Sequence, residues 1–151
     1  VHEMDAIVVS GTGYPKEMLI EMGIETKIPT FGSVAQIAYV YRSDQPEIRR
    51  SLDELKDHGS FDAVAGIASP RRFFEALQQA GLIIEEHAFT DHHAFSVSDI
   101  AELSHVITTE KDAVKLLHLL KEPFWIVAVD SLQPEFETWL INSLKHWSVR
   151  L

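Results

Sequence analysis

From Phe61 onward, short apolar runs alternate with amphipathic segments, and this alternation limits the possible folds more than any other feature of the chain. Phe61 to Ile67 reads as a buried-type strand. Ser69-Pro70 follows, an N-cap residue with proline at the first helical position. Phe73, Phe74, Leu77 and Ala80 then recur at helical spacing, and Gly81 closes the helix. Leu82 to Ala88 is a second strand, and Ser96-Val97-Ser98-Asp99 is a capping box that opens a short helix to Leu103. His105 to Thr108 is a strand, Glu110 to Leu120 a helix capped by Thr109, and Phe124 to Val129 a further strand. Pro134 opens the last helix, in which Phe136, Leu140, Leu144 and Trp147 recur at helical spacing. The order β-α-β-α-β-α-β-α predicts an α/β fold, a mostly parallel sheet with helices packed on it.

The part before residue 61 is less regular. Ala6-Ile7-Val8-Val9 reads as a strand closed by Ser10-Gly11-Thr12-Gly13, and an amphipathic piece follows from Glu17 to Met22. Gln36 to Tyr41 alternates and is β-rich, which suits an edge strand, while Glu47 to His58 is polar and partly helical. No repeat, low-complexity tract or long linker divides the 151 residues, so residues 1–151 are expected to form one domain; whether a sheet face stays uncovered depends on what lies beyond it.

Composition removes several classes of function. With no cysteine, disulfide staples, thiolate catalysis and Cys-ligated zinc are excluded. No window approaches the roughly 18 consecutive apolar residues of a membrane span. A net charge of −10 repels nucleic-acid phosphates and anionic headgroups, so no nucleic-acid partner is expected. A phosphate-bearing ligand needs a locally positive pocket.

Three polar clusters follow predicted strands. In a parallel sheet their turns lie at the carboxyl ends of the strands, where α/β proteins bind ligands. The first is Arg71-Arg72, cations in the first turn of a helix, where the macrodipole disfavours them. The second is Asp91-His92-His93 between Phe89 and Phe95: imidazoles beside a carboxylate suit a general base or a metal ligand, and equally a solvated loop capped by Asp91. The third is Thr109-Glu110-Lys111-Asp112, which suits a phosphate or carboxylate at a helix N-terminus and also ordinary capping. Ser10-Gly11-Thr12-Gly13 lacks the third glycine of a dinucleotide loop and the Lys-Ser/Thr of an ATP loop, so it reads as a plain turn. No G-x-x-x-x-G-K-[ST] loop occurs anywhere. Trp125, Trp139 and Trp147 read as packing residues, and His2, His58, His105, His118 and His146 have no partner spacing.

Taken in order, Ala65-Gly66-Ile67, Pro70, Arg72-Phe73-Phe74, Phe89, Asp91-His92, Phe95 and Thr109-Glu110-Lys111-Asp112-Ala113-Val114-Lys115 resemble the tetraacyldisaccharide 4'-kinase (lipid A 4'-kinase) family. Asp5 to Val9 is similar to the strand that opens the second half of that family. The resemblance implies the carboxy-terminal lobe of a P-loop-kinase-like fold that lacks the P-loop. It implies transfer of phosphate from ATP, with Mg²⁺, to the 4'-hydroxyl of an acylated disaccharide 1-phosphate, the lipid A precursor, at the cytoplasmic face of the Gram-negative inner membrane. His92 matches the family's catalytic histidine. Asp91, Arg72, Thr109, Lys111 and Asp112 become candidates for binding substrate or nucleotide, and no residue is assigned to a metal. The ATP loop, the Mg²⁺ aspartates and the membrane anchor belong in that family to a preceding N-terminal lobe, the partner of this one, so the chain alone is expected to be soluble and inactive. Two other readings stand beside it: a metal-dependent phosphoesterase of the Asp-His-His type, and a non-catalytic relative acting as a binding module.

Overall fold

A computed structural model describes residues 6–11, 14–130 and 134–148. In chain order the elements are β1 (Ile7–Ser10), α1 (Pro15–Glu21), β2 (Thr30–Ser33), β3 (Gln36–Arg42), β4 (Gln45–Arg50), a 3-10 helix (Leu52–His58), β5 (Ser60–Ala65), α2 (Pro70–Gln79), β6 (Ile83–Ala88), α3 (Val97–Ile100), β7 (Val106–Thr109), α4 (Glu110–Leu116), β8 (Trp125–Asp130) and α5 (Pro134–Ser148). Two compact units emerge where the sequence suggested one domain: residues 1–36 with 130–151, and residues 37–129. His2, Thr12, Gly13 and the side chains of His146 and Trp147, all named above, lie outside the described residues.

In the first unit β1 and β2 pair in parallel, Ile7 opposite Thr30 through Ser10 opposite Ser33. Phe31 of β2 meets Phe136 edge-on at 5.3 Å and Trp139 at 5.5 Å, so Trp139 packs as its spacing suggested. The four-residue β2 was not legible in sequence, because Thr-Phe-Gly-Ser is too short to show a period.

The second unit carries a six-stranded sheet in the order β4-β3-β8-β7-β5-β6. β6, β5, β7 and β8 run parallel to one another, and β3 and β4 form an antiparallel hairpin. The edge is therefore β4, not β3. Its sequence Gln-Pro-Glu-Ile-Arg-Arg has proline and charge where an outermost strand tolerates them, which disguised it as a polar stretch.

Strand periodicity divides the core in two. Phe61, Ala63 and Ala65 of β5, Ile107 of β7, and Trp125 and Val127 of β8 face α2 and the 3-10 helix, where Phe73, Phe74, Leu77 and Leu55 complete one cluster. Val64, Val106 and Ile126 point the other way and pack with Ile100, Ala113 and Leu116 of α3 and α4. Both faces of this sheet are thus covered. The near-continuous apolar runs of β5, β7 and β8 are what burial on both faces requires.

The start signals hold, while α3 ends at Ile100 and α4 at Leu116, short of the expected Leu103 and Leu120. Pro70 opens α2, and Gly81, at a φ of 87°, ends its turn. The capping boxes at Ser51 and Ser96 are formed. Leu77 is fully buried between α2 and the sheet. Leu77→Ala is expected to lower the unfolding free energy of this chain by about 2–5 kcal/mol, read from the urea midpoint at constant slope.

Candidate functional site

The turns after β5 and β6 and the start of α4 lie together because β5 sits between β6 and β7 and all three run in the same direction. Their carboxyl ends form a rim, and its base is a buried carboxylate. Asp112, 0% exposed, accepts the backbone N–H of Gly66 at 2.8 Å, the Thr109 hydroxyl at 3.2 Å and the Lys115 ammonium at 3.0 Å. Thr109 also caps α4, its oxygen accepting the Asp112 N–H. A buried carboxylate is tolerable only with such partners. Gly66 sits closely under this cluster: a Cβ there would stand 3.3 Å from the Phe95 ring, which would have to yield slightly, and 3.4 Å, ordinary contact, from the Asp112 carboxylate and the Thr90 carbonyl.

Above this base the β6 loop is fastened backbone to backbone. The Phe89 N–H donates to the Ala65 carbonyl and the His92 N–H to the Gly66 carbonyl, at 2.8 and 3.2 Å. The His92 N–H also reaches the Asp91 carboxylate at 3.0 Å. His92 is the one non-glycine residue with positive φ among those described, at 60°. That left-handed conformation is uncommon for a residue with a Cβ and costs of order 1 kcal/mol. It turns the ring outward: the side chain is 77% exposed, its Nε2 3.7 Å from the Asp91 carboxylate.

Lys111, from the first turn of α4, bridges to Asp91 at 2.8 Å and so joins the second and third clusters. That hydrogen bond, with help from the charges of His92 and Lys111, holds the Asp91 carboxyl below the usual aspartate range. The neighbouring His93 does something else. Its ring stacks on Phe89 at 4.8 Å, meets Phe95 edge-on at 5.1 Å and reaches Asp99 at 3.2 Å. The Ser96 hydroxyl and amide, followed by His93, hold Asp99 low as well. His93 therefore braces the loop from inside, and the two imidazoles do not converge.

Among the residues singled out from sequence, Asp91, His92, Thr109, Lys111 and Asp112 come together. Thr109 and Asp112 are buried and serve as internal fastenings, which leaves Asp91, His92 and Lys111 to face solvent. Arg71 is neutralised by Glu75 one turn on, at 2.7 Å. Arg72 is exposed on the first turn of α2 and makes no ion pair among the described residues. Sequence spacing did not assign Gly66 and Lys115 to the site. Their partner Asp112 lies 46 residues from one of them, so only strand pairing reveals the contact.

Because its folded-state acidity is enhanced, Asp91 stabilises the loop above the ordinary aspartate pKa, and that contribution is lost as pH falls through the folded value. In Lys111→Ala the Asp91 carboxyl should titrate at higher pH than in the wild-type chain, read in a carbon-detected NMR titration. An unchanged titration would show that the bridge does not hold Asp91.

A family model described as Tetraacyldisaccharide-1-P 4'-kinase matches residues 1–145. The chain is 42% identical over 88 residues to a tetraacyldisaccharide 4'-kinase of Methylobacillus flagellatus, covering 57% of this chain and 26% of that protein. It is 31% identical over 144 residues to the enzyme of that name from Dechloromonas aromatica, covering 93% of this chain and 41% of the relative. It is also similar in fold to LpxK from Aquifex aeolicus, solved in complex with ATP, with a TM-score of 0.56 and 22% identity over 92% of this chain and 42% of that one. The chain thus spans well under half the length of these relatives and matches their carboxy-terminal part. On the family match and the ordered residues of its rim, the chain belongs to the tetraacyldisaccharide-1-P 4'-kinase family.

Proposed function

We propose that this chain is the acceptor-side part of a kinase that phosphorylates the 4'-hydroxyl of a tetraacyldisaccharide 1-phosphate, and that His92 takes the proton this hydroxyl loses. The observation that carries the reading is the state of His92: the backbone is held in a costly conformation by Asp91 and Gly66, and the result is an exposed imidazole on the rim. Strain of this kind persists where surrounding structure imposes it, often at functional sites. An imidazole accepts and returns a proton near neutral pH.

The residues present do not fit ATP with Mg²⁺ by themselves. The sequence has no phosphate-cradling G-x-x-x-x-G-K-[ST] loop, and Lys111 and Lys115 are each engaged by an aspartate. The phosphate-cradling loop and the metal contacts are assigned to the N-terminal lobe of the complete protein, which is the proposed partner. The chain contributes a proton acceptor in His92, its orientation through Asp91 and Lys111, and a cation for an acceptor or nucleotide phosphate in Arg72. The lipid A precursor and the inner-membrane surface are proposed from the family. Among the described residues no helix is long and apolar enough to cross a membrane.

The geometry disfavours an Asp-His-His phosphoesterase. Such a site also needs an upstream Asp-x-Asp to hold metal, which the sequence lacks, and here His93 packs between Phe89 and Phe95 while His92 faces solvent, so the two imidazoles do not converge on one ion.

Asparagine tolerates the left-handed conformation, so His92→Asn separates chemistry from folding. In the complete enzyme, kcat should fall about 10²–10⁴-fold while the urea midpoint stays in place. Turnover within threefold of wild type would remove His92 from the reaction. Arg72→Ala should raise the KM of one phosphate-bearing substrate by about tenfold or more with little change in kcat, as expected for a lost charged hydrogen bond. Unchanged KM for both substrates would exclude that contact.

A further inference from the structure

Away from the rim, three potential metal ligands share one patch of the β5–β6 ladder. Asp62 of β5 lies directly opposite Glu85 of β6, and His87 follows two residues along the same strand, so all three side chains emerge on one face. Their ligand atoms all lie within 4.8 Å of one another. His87 Nε2 stands 2.9 Å from Asp62 Oδ1. Two donors about 2.0–2.1 Å from one tetrahedral ion stand about 3.3–3.4 Å apart, so this pair needs to open by only about half an ångström to share one.

We propose that Asp62, Glu85 and His87 form a binding site for a borderline divalent transition ion such as Zn²⁺. One imidazole and two carboxylates suit such an ion better than Mg²⁺ or Ca²⁺, which prefer oxygen alone. The second oxygen of Asp62 accepts the Ser104 N–H at 2.9 Å and the His105 N–H at 3.5 Å, the outer support that metal-ligating carboxylates receive.

Without a cation, the ladder is harder to explain. Carboxylates directly opposite on paired strands repel, and Asp62 with Glu85 is such a pair. The Asp62–His87 bond partners two of the three residues and leaves the exposed Glu85 carboxylate beside them. An ion between them removes the repulsion and takes the place of the Asp62–His87 hydrogen bond, the neutral imidazole then carrying its proton on Nδ1. Glu85 is exposed and free to swing into place, with water completing the coordination. Asp62 precedes Gly66 by four residues, roughly 13 Å of strand, so the ion sits apart from the rim and fastens the outermost strand β6 to β5.

The test is a titration of this chain with ZnCl₂ against a chromophoric chelator, repeated with Co²⁺ to read its visible spectrum. Wild type should bind one equivalent. Glu85→Gln, a change on an exposed side chain that leaves the fold intact, and His87→Gln should each bind at least tenfold more weakly and lose the Co²⁺ spectrum. His92→Asn should bind as wild type does. Wild-type affinity in either Glu85→Gln or His87→Gln, absence of a bound equivalent, or loss of binding in His92→Asn would each overturn the site. None of these readouts depends on kinase activity, so this inference and the proposed reaction fail separately.

Discussion

The carboxylate of Asp112 is the contact on which the rim depends. It is completely buried, and it draws the amide at the end of β5, the cap of α4 and the ammonium of Lys115 to one point. A buried charge that loses a partner is costly, so the arrangement is all-or-none. Once Gly66 is fixed by its amide, its carbonyl is fixed too, and that carbonyl receives the His92 N–H. The position of an exposed imidazole thus traces back to an aspartate that never meets solvent.

Two adjacent histidines divide their labour through backbone conformation. His92, in the left-handed region, turns its ring out; His93, one residue on, lies between two phenylalanines and against the capping aspartate of α3. Lys111 closes the set by clasping Asp91 from the neighbouring helix. The loop is therefore stapled above by an ion pair and below by aromatic packing. That rigidity suits a group that must meet a hydroxyl at a defined distance, since misplacement by an ångström is costly in catalysis.

Much of the second unit was legible as sequence because its signals are local. Ser69-Pro70 and Gly81 bracket α2, Thr109 caps α4, and the capping box at Ser96 opens α3, all as their residue types require. β4 was missed because an edge strand tolerates proline and charge, and β2 because four residues carry no period. The grouping of the second and third clusters followed from parallel topology, but the sorting of their members did not. Residue type allowed Thr109 and Asp112 to be either capping groups or ligand contacts; the structure shows both buried and Thr109 capping α4, because burial depends on what packs above them.

By itself, the sequence determined the α/β class, where the helices of the second unit begin, and the chain's family. These are set by residue type over a few positions, where periodicity and capping chemistry act. The tertiary structure alone decided that His92 faces out while His93 packs in, that Asp112 holds Gly66 across 46 residues, and that Asp62 meets His87 across 25. Such contacts are made by strand order and register, which bring distant residues within hydrogen-bonding reach and leave no trace in the spacing of either partner along the chain.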